Sequence, residues 1–193
     1  NIIANDSGIT NFYNDVINAA LIQDGTVNIR ESSIVSNEAA IIADIYNRGE
    51  LISNASLLSD TDSSLVNTGT LNLTGGTNQN AIANENGILN FYNSITNTGR
   101  VQDGTVNITE SSRVTNESSI VADIYNFGEL TSDASGLIDT DTLLENEGTL
   151  TLTGGTNQNI IAGFGTTVIA GEVTNTGSLI NDLILASGVL NVS

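Results

Sequence analysis

The sequence predicts an all-β fold in which residues 1–193 form a parallel β-solenoid, a chain wound in coils that stack along one axis. Three observations predict it: the sequence of residues 1–79 recurs in residues 80–158, apolar and polar residues alternate in short runs, and an Asn followed two places later by Gly, Ala or Ser recurs along the chain. We expect about 20 residues per coil and nine to ten coils, which gives an axial length of about 45 Å at about 4.8 Å per coil.

The 79-residue repeat is the strongest of these features. The segment LTGGTNQN occurs at 73–80 and again at 152–159. Residues 1–79 align with residues 80–158 without a gap, and residues 159–193 begin a partial third copy that soon diverges. No proline, Gly/Ser tract or block of charge separates the copies. We therefore expect one continuous solenoid in which the copies are successive lengths of the same structure.

A shorter pattern, apolar-x-Asn-x-Gly/Ala/Ser-x-apolar, lies inside each copy. Asn and Gly both tolerate the left-handed backbone region, so the pattern predicts turns, and the alternating runs beside it, such as TLNL at 70–73, predict strands. An Asn that recurs at one corner can stack its side-chain amide on the Asn of the next coil. The structural turn asparagines predicted in this way are Asn18, Asn37, Asn47, Asn67, Asn97, Asn116, Asn126, Asn146 and Asn175.

Two β-sandwich domains in tandem, one for each complete copy, are the alternative fold. The missing linker, the absence of proline and the spacing of the turn asparagines near multiples of ten favour the solenoid. The composition agrees, because aromatic residues are only 4% of the chain and the hydrophobic 39% is mostly Ile, Leu, Val and Ala. These side chains suit a thin core with little room for large rings.

The unit NTGTLNL at 67–73 resembles the passenger regions of bacterial autotransporters and the coils of filamentous-haemagglutinin-type surface adhesins. The resemblance extends over nearly the whole chain and implies a right-handed parallel β-helix that is secreted or exposed on a bacterial cell surface. The N-terminal export signal and the C-terminal outer-membrane barrel of that family are missing here, so the resemblance implies an internal segment of a longer protein. The expected role is a structural or adhesive module that extends or assembles into a rod or filament.

The charge and composition of the chain exclude several classes of function. It carries 22 acidic and 4 basic residues, for a net charge of −18, and it contains no His or Cys. This acidity opposes binding to nucleic acid, whose phosphates require Lys and Arg. No apolar run is long enough for insertion into a membrane. The absence of His and Cys excludes a Ser-His-Asp triad, a Cys-His nucleophile and an ordinary zinc site.

We expect no catalysis and no cofactor. A polysaccharide-degrading β-helix would need a basic residue beside carboxylates and a cleft between long loops, and the gapless alignment of the copies leaves no such loop. No arginine recurs at the equivalent position of the other copy: Arg30 aligns with Thr109, Arg48 with Phe127, Arg100 with Leu21 and Arg113 with Ile34.

A glycan-binding face is the open alternative, because tyrosines do recur in both copies. Exposed tyrosines can stack on sugars, although filling a corner of the coil is the simpler interpretation. The recurring tyrosines are Tyr13, Tyr46, Tyr92 and Tyr125.

Calcium is the only metal that the carboxylates suggest. Asp60 and Asp62 flank Thr61, and Asp139 and Asp141 occupy the equivalent positions of the second copy. In extended backbone, residues i and i+2 point to the same side, so each pair could share a hard cation. Two ligands are far fewer than the six to eight that calcium takes, so a solvated acidic turn is the alternative.

The ends of the chain suggest its partners. Neither residues 1–10 nor residues 188–193 look like a polar cap, and an uncapped coil exposes unpaired strand edges. We therefore expect either flanking coils of a longer chain or end-to-end self-association. A host surface protein or a glycan is the expected external partner, with no nucleic acid and no membrane insertion.

Overall fold

The computed structural model describes residues 2–58, 64–138 and 143–193 and confirms the all-β parallel β-solenoid. It has about ten turns, about 18 residues apart, and only 4% helix. All strand pairs between described residues are parallel. Tandem sandwiches are built from antiparallel sheets, so this pairing excludes them.

Short strands follow one another along the chain, with two 3₁₀ helices between them. The first copy contains β1 (Ile2–Ala4), β2 (Ile9–Phe12), β3 (Val16–Asn18), β4 (Leu21–Ile29), β5 (Ile34–Asn37), β6 (Ile41–Asn47), β7 (Glu50–Ser53), the first 3₁₀ helix (Ala55–Leu58), β8 (Leu65–Asn67), β9 (Thr70–Leu73) and β10 (Gly76–Asn78).

The second copy repeats this order with similar lengths, and the partial third copy adds six strands. The second contains β11 (Ile82–Ala83), β12 (Ile88–Phe91), β13 (Ser94–Asn97), β14 (Val101–Ile108), β15 (Arg113–Asn116), β16 (Ile120–Asn126), β17 (Glu129–Ser132), the second 3₁₀ helix (Ala134–Gly136), β18 (Leu137–Ile138), β19 (Leu143–Asn146), β20 (Thr149–Leu152) and β21 (Gly155–Asn157). The third contains β22 (Ile160–Ala162), β23 (Thr166–Ile169), β24 (Glu172–Asn175), β25 (Ser178–Leu179), β26 (Asp182–Leu185) and β27 (Val189–Val192).

Each coil is made of three strand segments, so the solenoid has three faces. The long strands β4, β6, β14 and β16 bend across a corner and contribute one segment to each of two faces. The bend in β4 lies at Asp24 and Gly25, which have φ of 63° and 68°. This is the left-handed region, where glycine is favoured because it has no Cβ. Asp103 and Gly104 make the same bend in β14.

The strand pairings define the three faces. The first face contains β1, the starts of β4 and β6, the first 3₁₀ helix, β10, β13, β15, β17, β20, β23 and β26. The second contains β2, the ends of β4 and β6, β8, β11, the starts of β14 and β16, the second 3₁₀ helix with β18, β21, β24 and β27. The third contains β3, β5, β7, β9, β12, the ends of β14 and β16, β19, β22 and β25.

The repeated block is therefore not a whole number of coils. One copy contains thirteen segments, one of them formed by the 3₁₀ helix, which is four coils and one further face. Equivalent strands consequently move round by one face per copy, from β1 on the first face to β11 on the second and β22 on the third. The number of coils agrees with the nine to ten expected, and their spacing of about 18 residues is slightly shorter than the expected 20.

The core is a stack of branched apolar side chains along the inside of each face. On the third face, a column of inward residues runs without interruption from Val35 to Leu179. The described members from Val35 to Ile161 are at most 1% exposed. The core also accepts one fully buried aromatic ring, that of Phe91. Each coil thus contacts only its neighbouring coils above and below.

Deletion of residues 80–158 is expected to give a shorter, stable solenoid. The new junction joins Gln79 to Asn159, and Leu65 would pair with Ile161 as it now pairs with Ile82. Ile161 already pairs with Leu144, the equivalent of Leu65. We expect one cooperative urea transition with an m-value lower by roughly 40%, because m scales with the surface exposed on unfolding.

Residues 80–193 alone are the matched control for this deletion, since they have the same length but no new junction. Equal m-values and similar midpoints are expected for the two proteins. Loss of the β-sheet circular dichroism in the deletion variant, with its retention in the control, would show that the one-face advance per copy is wrong.

Candidate functional site

The predicted turn asparagines all occupy the same structural position. Each of the nine is the last residue of its strand, and each is at most 6% exposed. Their side chains point inward at corners of the coil, where the chain passes from one face to the next. They are Asn18, Asn37, Asn47, Asn67, Asn97, Asn116, Asn126, Asn146 and Asn175.

Their amides form hydrogen-bonded ladders between coils. Asn78 Nδ2 donates to Asn97 Oδ1 at 2.7 Å, Asn97 Nδ2 donates to Asn116 Oδ1 at 2.8 Å, and Asn116 Nδ2 donates to Ser132 Oγ at 3.0 Å. These buried bonds satisfy polar groups that would otherwise be costly inside the core. The other ladders are Asn18–Asn37–Ser53, Asn47–Asn67–Asn84, Asn126–Asn146 and Asn157–Asn175.

The ladders differ from the expectation of one long stack at one corner. They lie at all three corners and contain two to four residues, because each copy turns the pattern by one face. A ladder begins where an apolar residue occupies the same column one coil earlier, as Ile29 does below Asn47 and Ile108 does below Asn126. The buried Oδ1 atoms of Asn47 and Asn126 therefore have no hydrogen-bond donor.

The glycine of the Asn-x-Gly pattern is needed for a reason other than the expected left-handed backbone. Neither the nine asparagines nor the glycines that follow them, such as Gly49 and Gly69, have positive φ. A Cβ on Gly69 would instead lie 2.1 Å from the carbonyl oxygen of Gly49 in the coil below. These glycines allow the backbones of adjacent coils to approach each other.

Three asparagines of the ladders were missed by sequence reasoning, namely Asn78, Asn84 and Asn157, as were the two serines that end ladders, Ser53 and Ser132. Asn78 and Asn157 are followed two places later by Asn rather than by Gly, Ala or Ser, which removed them from the pattern. The signal that could have found them is the repeated segment LTGGTNQN itself. Asn84 lies three residues before Gly87, and its Nδ2 donates to the carbonyl oxygens of Gly87 and Thr105.

The four candidate calcium ligands, Asp60, Asp62, Asp139 and Asp141, lie outside the described residues. Within residues 2–58, 64–138 and 143–193, no group of three or more Asp and Glu side chains is placed to hold a metal ion. Calcium binding by the two Asp-Thr-Asp segments stays a prediction.

Arg113 forms an ion pair across one coil with Glu129. Its Nε donates to Glu129 Oε2 at 2.6 Å and its Nη2 donates to Oε1 at 3.1 Å. The hydrogen bond to Arg113 and its positive charge lower the pKa of Glu129. The hydrogen bond to Glu129 and its negative charge raise the pKa of Arg113. The two side chains are 70% and 54% exposed, so solvent screening leaves the pair little influence on stability.

Two other arginines lie together at the corner between the second and third faces. Arg30 and Arg48 line a groove of about 260 Å³ with Tyr13 and Glu31. The guanidinium of Arg30 lies 5.5 Å from the centre of the Tyr13 ring, and Arg30 Nη2 donates to Asn11 Oδ1 at 3.0 Å. We call the surface formed by this groove and the groove that adjoins it along the axis the arginine–tyrosine corner.

The arginine–tyrosine corner continues along the axis. Arg48 also lines a second groove of about 260 Å³ together with Tyr46, Val66, Thr68 and Glu85. Tyr13 is 65% exposed, whereas Tyr46 and Tyr92 are less exposed and Tyr125 is half-buried. Tyr13 and Tyr46 of the first copy therefore present part of their rings to solvent beside basic side chains.

Both ends of the solenoid expose residues that face its interior. Leu183 and Leu185 pair with Thr167 and Ile169, which are fully buried one coil earlier, yet Leu185 is 58% exposed. At the other end, Ile3 pairs with fully buried Ile22 and is itself exposed. The end strands also carry backbone groups that no further described strand pairs.

Replacement of Asn97 by alanine is expected to lower the free energy of unfolding by about 2–4 kcal/mol. The change leaves Asn116 Oδ1 without its donor and removes one acceptor of Asn78 Nδ2, and an unpaired buried polar group costs about 1–3 kcal/mol. Urea unfolding measures the loss. Asn191→Ala, at an exposed position, is the control and is expected to change stability by less than about 0.5 kcal/mol.

Asn97→Asp adds a pH test of the same ladder. A buried carboxylate cannot donate to Asn116 Oδ1, so its pKa in the folded protein is expected to rise. The protonated acid can donate, so the stability deficit relative to wild type should be small at pH 4 or below and grow as pH rises. A deficit that does not change with pH would contradict a donating role for the Asn97 side chain.

The chain was compared with protein families, curated proteins and solved structures, and none of the three comparisons found a match. No helix among the described residues is long and apolar enough to span a membrane.

Proposed function

We propose that this chain is a structural or adhesive module of a secreted or cell-surface bacterial protein, in which stacked coils extend a rod. The observation that carries the proposal is the parallel β-solenoid of about ten turns, in which each coil packs against the coils above and below it. The sequence resemblance to autotransporter passengers and haemagglutinin-type adhesins supports the surface location. The fold supports a role in which length is set by the number of repeats.

The junction between the first and second copies supports coverage of the N-terminal end. Ile3 and Phe12 of the first coil are equivalent to Ile82 and Phe91. Ile82 and Phe91 are almost fully buried, because β8 and β9 pack below them. The same sequence therefore forms a buried junction in one copy and an exposed end in the other. A coil like the one containing β8, β9 and β10 fits the N-terminal end.

The C-terminal end supports the same role. Leu190 and Val192 in β27 occupy the inward columns of Val173 and Asn175, and Val192 is largely exposed. Apolar side chains in these columns continue the core rather than close it. The side faces behave differently, since the net charge of −18 keeps neighbouring rods apart and soluble.

Fusion of another copy of residues 1–79 ahead of Asn1 is expected to extend the rod as one cooperative unit. The junction Gln79–Asn1 reproduces the native Gln79–Asn80 junction. The added block should lengthen the molecule by about 21 Å, four and one third coils at about 4.8 Å each. Small-angle scattering measures the length, and urea unfolding should show one transition with a higher midpoint than that of the original chain.

Two variants of the fused protein test the junction. Phe12→Asp in the original block places a charge in the new interface, so two separate transitions are expected. Phe164→Asp changes a residue that is 96% exposed on the side of the solenoid and should leave one transition. Two transitions in the unmodified fusion would overturn the proposal that the N-terminal end receives a further coil.

The surface location has its own test. Antibodies raised against the purified chain should label intact bacterial cells that make the protein, and external protease should remove the label. A cytoplasmic protein of the same cells serves as the control for lysis. Labelling only after permeabilisation would contradict the proposal of a secreted or surface-exposed module.

A further inference from the structure

The arginine–tyrosine corner differs from the rest of this acidic surface. Two of the four basic residues of the chain, Arg30 and Arg48, line one groove there. Tyr13, Arg30, Arg48, Thr68 and Glu85 follow successive strands of the second face, so the corner spans five coils, or about 19 Å along the axis. This length exceeds that of a single ion or a small metabolite and suits a short linear ligand.

Neither arginine side chain is neutralised by the protein. The Arg48 guanidinium makes no hydrogen bond or ion pair with the described residues, although the chain has 22 carboxylates. Arg30 uses one Nη2 hydrogen on Asn11 and packs over Tyr13, but it makes no ion pair within residues 2–58, 64–138 and 143–193. Arg30 Nε is buried, so the Arg30 Nη atoms and the Arg48 guanidinium remain available for a carboxylate, which arginine can bind through two hydrogen bonds.

The aromatic ring and the acidic neighbours indicate what carries that carboxylate. Tyr92, the equivalent of Tyr13, is still 37% exposed where a coil packs below it, so the Tyr13 ring keeps exposed surface for stacking when a further coil precedes it. Glu31 can accept hydrogen bonds from hydroxyl groups. We propose that the arginine–tyrosine corner binds a saccharide that contains a carboxylated pyranose, a sugar of the uronic-acid type. The ring stacks on Tyr13, the carboxylate pairs with Arg30 and Arg48, and Glu31 accepts from a hydroxyl.

The surrounding charge sets the number of carboxylates on the ligand. The groove holds two arginines and one glutamate, so it has one excess positive charge. The chain as a whole carries −18, so a polymer with a carboxylate on every sugar is repelled beyond the groove. The same repulsion disfavours nucleic acid, although its bases could also stack on tyrosine. A mainly neutral chain with a single acidic sugar fits best.

The second copy of the repeat is an internal control for this site. At the equivalent corner, Tyr92 and Glu110 are retained, but Thr109 stands in place of Arg30 and Phe127 in place of Arg48. Thr109 Oγ1 donates to the Phe91 carbonyl and so is part of the local structure. The fold therefore accepts either set of residues, and exchanging them between the copies should not disturb the solenoid.

Titration of the full chain with methyl β-glucuronide and with uncharged methyl β-glucoside tests the proposal. Binding is followed by ¹H–¹⁵N spectra, which include the Nε–H signals of the arginines. We expect the glucuronide to shift the Arg30 and Arg48 signals with a Kd in the millimolar range, and the glucoside to bind at least tenfold more weakly. The double variant Arg30→Thr/Arg48→Phe and the variant Tyr13→Ala should each weaken glucuronide binding at least tenfold.

A grafted site provides the opposite test. Thr109→Arg/Phe127→Arg should create a second site, so that two glucuronides bind per chain. Arg113→Ile, which introduces the residue of the first copy, is the control and should bind as wild type does. No shift of the Arg30 and Arg48 signals at about 10 mM glucuronide would overturn the proposal. Equal binding of the two sugars would overturn recognition of the carboxylate.

Discussion

The structure depends on one constraint: every inward position of a coil must match the same position in the coils above and below it. Parallel strands stacked at about 4.8 Å place like positions directly over one another. Branched apolar residues satisfy this constraint by packing, as in the column from Val35 to Leu179 on the third face. Asparagine satisfies it by self-complementarity, since one amide both donates and accepts. Apolar residues therefore occupy the centres of the faces, and asparagines occupy the corners.

The constraint also explains where the interior is imperfect. Where a column of inward residues changes from apolar residues to asparagines, the first asparagine has no hydrogen-bond partner on the side of the apolar residue. This is the situation of Asn47 above Ile29 and of Asn126 above Ile108, whose Oδ1 atoms are buried and unpaired. Both changes occur at equivalent positions, so the cost is part of the repeated block. A longer ladder would avoid that cost, but it would require a coil-length repeat rather than a block that turns by one face.

The fold was predictable from the sequence because its signal is local. The alternating runs indicated the strands, the identity between the copies indicated the continuous stack, and the turn pattern indicated the corner asparagines. The number of faces was not predictable from that pattern, because Asn recurs near multiples of ten whether a coil has two segments or three. Which residues share a column depends on coil length, which varies from 16 residues between Asn37 and Ser53 to 20 between Asn47 and Asn67.

The arginine–tyrosine corner was missed for the same reason. Arg30 and Arg48 are separated by 18 residues, which is one coil of this structure but not of the expected one. Tyr13 and Glu31 have the same separation. With the correct coil length, these four residues become neighbours in the sequence pattern itself. With a coil of about 20 residues, as expected from the sequence, these four residues would lie at different positions around the coil. The sequence alone therefore gave no reason to place the rare basic residues in one group.

The one-face advance also decides how a repeated block can present a site. Equivalent corners of successive copies lie about 21 Å apart along the axis and a third of a turn apart around it. A flat surface can therefore contact equivalent corners only on every third block, about 62 Å apart. Duplication of this block lengthens the rod but does not build a row of sites on one side. Under that geometry, arginines in both complete copies would add little avidity over arginines in one copy, because the equivalent corner of the second copy faces another direction. The geometry of the block thus favours a longer stack of coils over a row of equivalent corners on one side.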